Sequence, residues 1–176
     1  METVTQHTLL ALPGQGYWTK VRDGNALAFW LYRRHYSYTR YNDGRRDRHG
    51  YRNRFLIAGP GEKLVLLGID GQALCCWRRC YDDYSREVRV FCSVFRNESA
   101  HRASAILREA MALAWQRWPG ERLWTYVDPR KVRSTVPGYC FRRAGWRRAG
   151  ATAGGLLLFA ASPPSGVSHR DKVEKA

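Results

Sequence analysis

Residues 87–152 constrain the fold more tightly than any other stretch, because their signals run strand, loop, helix, strand, loop, short helix, strand. Residues 87–95 (EVRVFCSVF) are dense in β-branched and aromatic side chains and predict a strand. A polar break follows, in which Asn97 or Ser99 is placed to cap a helix. From about His101 to Trp118, the residues Ile106, Leu107, Ala110, Met111, Ala114 and Trp118 recur at helical spacing on one stripe. Pro119 and Gly120 stop that helix. Leu123–Val127 (LWTYV) predicts a short buried strand ending at Asp128 and Pro129. Residues 137–146 predict a short helix, with Pro137 in its first turn and Gly145 as the left-handed residue past its end. The two strands are expected to lie parallel, with the helix crossing between them on the right-handed path such units take.

The flanking segments extend this pattern. Residues 23–36 predict an amphipathic helix capped by Asp23 or Asn25. A strand is expected to begin at residues 54–57, ahead of the turn Gly59, Pro60, Gly61. Residues 63–69 and 72–79 predict a hairpin across Asp70 and Gly71. Residues 151–161 predict a hairpin around Gly154 and Gly155, and Trp124 and Trp146 are expected in the core. The order of elements implies one α/β domain over residues 1–161, with a mixed, mostly antiparallel sheet flanked by helices. Residues 162–176 carry two prolines and alternating charges without apolar anchors and predict a disordered tail.

Charge bears on partners. The formal net charge of +15 implies a polyanionic partner, nucleic acid first, against the alternative of a generally cationic surface. Its densest cluster is the loop of residues 37–54. There Arg40, Arg45, Arg46, Arg48 and Arg52 interleave with Tyr38, Tyr41 and Tyr51. Arginine pairs bidentately with phosphate and tyrosine stacks on bases, so this loop is the expected DNA contact; a solvated loop is the alternative. No window approaches the ~20 apolar residues of a membrane span, and no apolar signal core follows the N-terminus, so a cytoplasmic location is expected. The five cysteines are odd in number and fit reduced thiols. Cys75, Cys76 and Cys80 fit buried or edge positions better than a zinc site, because strand alternation points Cys75 and Cys76 to opposite faces.

Three motifs carry a resemblance. They are His35-Tyr36-Ser37, then residues 94–99 (VFRNES) with the small residues Ala103-Ser104-Ala105, and finally Thr125-Tyr126-Val127-Asp128 followed by Gly138-Tyr139-Cys140-Phe141 and Ala144-Gly145-Trp146. In order and spacing the chain resembles the GNAT acyltransferase fold, in a branch around the phage Mom DNA-modification protein. The resemblance implies a transferase of phage or prophage type that modifies a base in DNA, with acetyl-CoA or another acyl-CoA as donor. It implies that Arg96, Asn97, Ser99, Arg102, Ala103 and Ser104 hold the coenzyme, and that His35, Tyr36, Asp128 and Tyr139 form the catalytic set. His35 and Asp128 together could hold a metal ion. Read by themselves, His35 can equally bond the last carbonyls of its helix, and Asp128 can equally cap the turn after it. The chain departs from the family pattern in two places. Its coenzyme loop has no glycine, with Glu98 and His101 at fingerprint positions, and the family's tyrosine acid is replaced by Phe141, which has no proton to donate. These departures leave a second function open, that of a non-catalytic nucleic-acid-binding protein on the same fold.

Overall fold

The computed structural model describes residues 16–38 and 56–164. In chain order they form β1 (Trp18–Val21), α1 (Ala26–Arg33), β2 (Glu62–Gly68), β3 (Ala73–Asp82), β4 (Glu87–Asn97), α2 (Ala103–Arg117), β5 (Leu123–Val127), α3 (Tyr139–Arg143), β6 (Arg147–Ala151) and β7 (Leu157–Ala161). The strands make one sheet in the order β1-β2-β3-β4-β5-β7-β6. Its one parallel pair is β4 with β5, and every other neighbour is antiparallel. The expected α/β class, the mixed sheet and the parallel pair joined by a helix are all present. None of the described helices is long and apolar enough to cross a membrane.

Local chemistry sets most of the boundaries. Asn25 caps α1, its side-chain oxygen accepting the Ala28 N–H at 3.0 Å. Asp23 is not the cap; it accepts the Ile57 N–H at 2.7 Å and the Lys63 ammonium at 2.8 Å. The β2–β3 hairpin turns through Gly71 at φ +70°, as the Asp-Gly pair requires. Helix α2 begins later than expected. Its N-cap is Arg102, with no side-chain cap bond, because Asn97 and Ser99 bond within their own loop instead. Pro137 lies ahead of α3, whose N-cap is Gly138 at φ +77°. Alanine is excluded at Gly138 twice over, by that φ and by the Phe159 ring 2.6 Å from where a Cβ would stand. Residues 56–58 are not in a strand, which removes the described end of the strand expected at 54–57. Strand β1, unforeseen in so short a segment, is fastened by its aromatic anchor: the Trp18 indole N–H donates to the Ile106 carbonyl of α2 at 2.7 Å.

The sheet divides two cores. Helices α2 and α3 cover one face with Cys75, Trp77, Val90, Cys92, Leu123 and Phe159; α1 covers part of the other with Val65, Leu74, Cys76 and Val94. Cys75 and Cys76 thus point to opposite cores as strand alternation requires, and burial pushes both thiols up. In β4 the alternation slips. Cys76 pairs with Val94 and Trp77 with Cys92, so Ser93 is an extra residue, a β-bulge. That bulge puts Cys92 and Phe95 against the α2 core and Val94 against the other. Trp146 is buried as expected, but Trp124 is not a core residue. It is half-buried outside both cores, with the guanidinium carbons of Arg89 and Arg122 at 4.0 and 4.7 Å from its ring centroid.

Candidate functional site

Strands β4 and β5 pair at only two positions, Val90 with Leu123 and Phe91 with Trp124. The Thr125 hydroxyl then bridges to the Cys92 carbonyl at 2.9 Å. Beyond it the strands part around a cavity of about 300 Å³. Cys92, Ser93 and Phe95 line it from β4, and Thr125, Tyr126 and Val127 from β5. The segment after α1 brings His35 and Tyr36, and the start of α3 brings Gly138, Tyr139, Cys140 and Phe141. The bulge residue Ser93 is itself one of the residues on this wall.

His35 is the most constrained polar group of the cavity. The Ser37 N–H donates to its Nδ1 at 3.2 Å, and the Ser37 hydroxyl lies 2.7 Å from the same atom. A backbone N–H can only donate, so Nδ1 is the acceptor and the neutral ring carries its proton on Nε2. Burial, with the Arg96 cation second, pushes the His35 pKa down to about 4. At neutral pH His35 is therefore a hydrogen-bond donor through Nε2 rather than a cation. Its ring lies 4.3 Å from that of Tyr36. The Tyr36 hydroxyl meets the backbone of Asp128 and lies 3.5 Å from the Tyr126 carbonyl, and burial raises its pKa.

The Asp128 side chain is engaged elsewhere. Its carboxylate accepts the Arg130 N–H at 3.0 Å and the Arg130 guanidinium at 2.9 and 3.1 Å. Arg130 holds that carboxyl below the usual carboxylate range. Asp128 thus caps the turn after β5, and the cavity wall includes its neighbours Tyr126 and Val127 but not Asp128 itself. Among the described residues no group of three or more His, Cys, Asp or Glu side chains is placed to hold a metal.

In α3, Phe141 is 8% exposed and packs on Phe95, Trp146 and Phe159, while Tyr139 is 56% exposed. Both nonetheless line the cavity, so Tyr139 is the phenol available to it from α3. Burial pushes the Cys140 thiol up to about 11, so it is a neutral wall group and not a thiolate at neutral pH.

The loop ahead of α2 closes on itself. The Asn97 side-chain oxygen accepts the Ser99 N–H and hydroxyl, its amide donates to the His101 carbonyl, and the Ser99 hydroxyl oxygen accepts the His101 N–H. Ala103 and Ser104 occupy the open first turn of α2. Glu98, which would repel a phosphate, is clamped between Arg34 and Arg96, and the two guanidinia hold its carboxyl down at about 2. Arg96 also donates to the Arg34 carbonyl, tying the end of α1 to the end of β4. The Arg34–Glu98–Arg96 cluster leaves one net positive charge beside the loop. Arg40, Arg45, Arg46, Arg48 and Arg52 lie outside the described residues.

No protein-family model, curated protein or solved structure matches this chain.

Several wall residues escape a motif reading. Ser93 is betrayed only by the broken alternation at CSVF, where Val94 and Phe95 are apolar in succession. Thr125 reads as an ordinary strand residue, and Cys92 and Cys140 read as scattered thiols; nothing in their local sequence marks the opening they line.

Proposed function

We propose that the chain is a GNAT-like acyltransferase that modifies a base in DNA with an acyl group drawn from acyl-CoA. One observation carries this reading. The sheet's single parallel pair is joined by α2 and parts after two residue pairs, around a cavity reached by His35, Tyr36 and Tyr139. Such an opening accepts an extended arm between two strands, with the open first turn of α2 offering N–H donors to phosphate. The residues of this chain fit the donor in part. The N–H groups of Ala103 and Ser104, the cations Arg96 and Arg102, and the neutralised Glu98 suit a pyrophosphate. The self-bonded Asn97 and Ser99 serve by shaping the loop rather than by touching the ligand.

Acyl-CoA would supply an activated thioester. The chain's own residues then have separable duties. His35, neutral and protonated on Nε2, donates a hydrogen bond to an oxygen that gains negative charge. Tyr139 supplies a proton in place of the acid that Phe141 cannot provide. Asp128 positions the end of β5 through its turn and, by its backbone, the Tyr36 hydroxyl. A second reading, DNA binding without catalysis, is favoured by one observation, the burial of Phe141 in an aromatic cluster at the acid position.

Calorimetric titration with acetyl-CoA and with free coenzyme A, on wild-type protein and on Ser93→Phe, tests the donor site. Saturable binding that the cavity-filling variant weakens is expected. Equal binding by both proteins, or none by either, would remove the cavity as the donor site.

A further inference from the structure

Resting on the base-modifying reading above, we propose that the outward face of β4 and β5 is a stacking platform for unpaired nucleobases, so that the acceptor is a single strand of DNA rather than an intact duplex. The argument begins with strand alternation. Leu123, Thr125 and Val127 are buried toward α2, which sends Trp124 and Tyr126 to the opposite face, where both are half-buried. Tyr126 stacks on Phe91 with centroids 5.6 Å apart and planes 17° from parallel. Tyr126 also lines the cavity, and Tyr36 and His35 continue the sequence of rings into it. Aromatic side chains therefore line β5 from Trp124 to the candidate site, Trp124 with the guanidinium carbons of Arg89 and Arg122 at 4.0 and 4.7 Å from its ring centroid.

Spacing and charge select the occupant. Two residues of a strand span about 6.7 Å, roughly twice the 3.4 Å repeat between bases along one strand of a duplex. Neighbouring bases can each meet one of these rings only if the strand is extended and its bases are unstacked from one another. In a duplex the base faces are covered and these rings would have nothing to stack on. The cations beside the track suit the phosphates of such a strand. Arg122 lies against Trp124 and makes no ion pair among the described residues, and the cavity end of the track carries the net positive Arg34–Glu98–Arg96 cluster. Tyr84, 73% exposed, lies in the turn between β3 and β4. Base–aromatic stacking with cationic tracking of the backbone is the general mode of single-strand binding.

The test measures fluorescence anisotropy of a labelled 12-nucleotide DNA strand, the same sequence as a duplex, and its RNA counterpart, with wild-type protein, Trp124→Leu and Tyr126→Leu. The platform requires wild type to favour the single strand. Each variant should lose about five- to a hundred-fold in single-strand affinity while duplex affinity stays unchanged. A weaker RNA arm is expected for a DNA acceptor. Wild-type preference for the duplex, or equal losses for strand and duplex, would overturn the proposal. Photocrosslinking of wild-type protein to a 4-thiothymidine strand tests it without any substitution: adducts within residues 122–127 support it, and adducts confined to other segments overturn it. Acetyl-CoA titration of the same variants separates the two readings. Loss of single-strand affinity with no donor binding in any protein would retain the platform and reject the transferase.

Discussion

At the scale of single residues, His35 carries the most specific expectation, and its position just after a helix is legible in the sequence while its hydrogen bonding is not. The motif marks a histidine at the end of a helix; only the geometry shows its Nδ1 facing the Ser37 N–H, which leaves Nε2 as a donor. Glutamine places an amide N–H near the Nε2 position, whereas alanine places nothing there. His35→Gln is therefore expected to keep part of the transfer rate, and His35→Ala to lose about a hundred- to a thousand-fold in kcat, the range for removing one donor to a developing oxyanion. Equal rates in the two variants would exclude the donor role. The depressed pKa also sets a stability trend. The folded value of about 4 lies below the ordinary 6.5, so the fold favours the neutral ring. Stability is intact above pH 6.5 and falls as pH drops from there toward 4, by about 2 kcal/mol between pH 7 and pH 4.5. Denaturant unfolding at those two pH values should show this loss in wild type and a smaller loss in His35→Gln. Gly138 is the other residue with a definite expectation. Gly138→Ala meets a left-handed φ and the Phe159 ring, and should lower stability by about 1–3 kcal/mol, read as a fall in Tm.

At the scale of elements, the strand–helix–strand unit was legible because its signals are periodic and local. The stripe of α2, the β-branched density of β4 and the Asp-Gly turn each follow from a few neighbouring residues. What the sequence hides depends on partners distant in the chain. The α2 cap is absent because Asn97 and Ser99 find each other first, and β1 exists because Trp18 reaches Ile106 across 88 positions. The opening between β4 and β5 depends on where pairing stops, which neither strand encodes alone. Glu98 is read from sequence as a hindrance to phosphate; the fold makes it a clamp between Arg34 and Arg96 that holds the segment leading to His35 against the loop ahead of α2. Glu98→Ala should change stability by no more than about 1 kcal/mol, because the pairs are partly exposed. Freeing that segment should still lower kcat, with the KM for acyl-CoA changed less. Steady-state kinetics and thermal unfolding on one preparation check both halves, and an unchanged kcat would show that the clamp does not position the site.

At the scale of the whole molecule, the charge of +15 and the opened sheet both fit the proposed reading, in which a polyanion is brought to a cleft that takes an activated donor. Affinity for DNA should fall linearly on a log–log plot against salt, and replacing Arg45, Arg46 and Arg48 with alanine should flatten that slope by about 2–3, near one unit per lost phosphate contact. An unchanged slope would assign the phosphate contacts to other cations, such as Arg142, Arg143, Arg147 and Arg148. Charge and most of the element order were plain in the sequence, but the cavity was not, because its wall is gathered from the segment after α1, from β4, β5 and α3 by the fold. The most direct test of the central claim is mass spectrometry of nucleosides from the DNA of cells expressing the wild-type chain or His35→Ala, with both proteins confirmed as folded. The account predicts one nucleoside, heavier by the mass of an acyl group, in the wild-type sample and its loss in the variant; identical nucleoside profiles in wild-type, variant and non-expressing cells would contradict it.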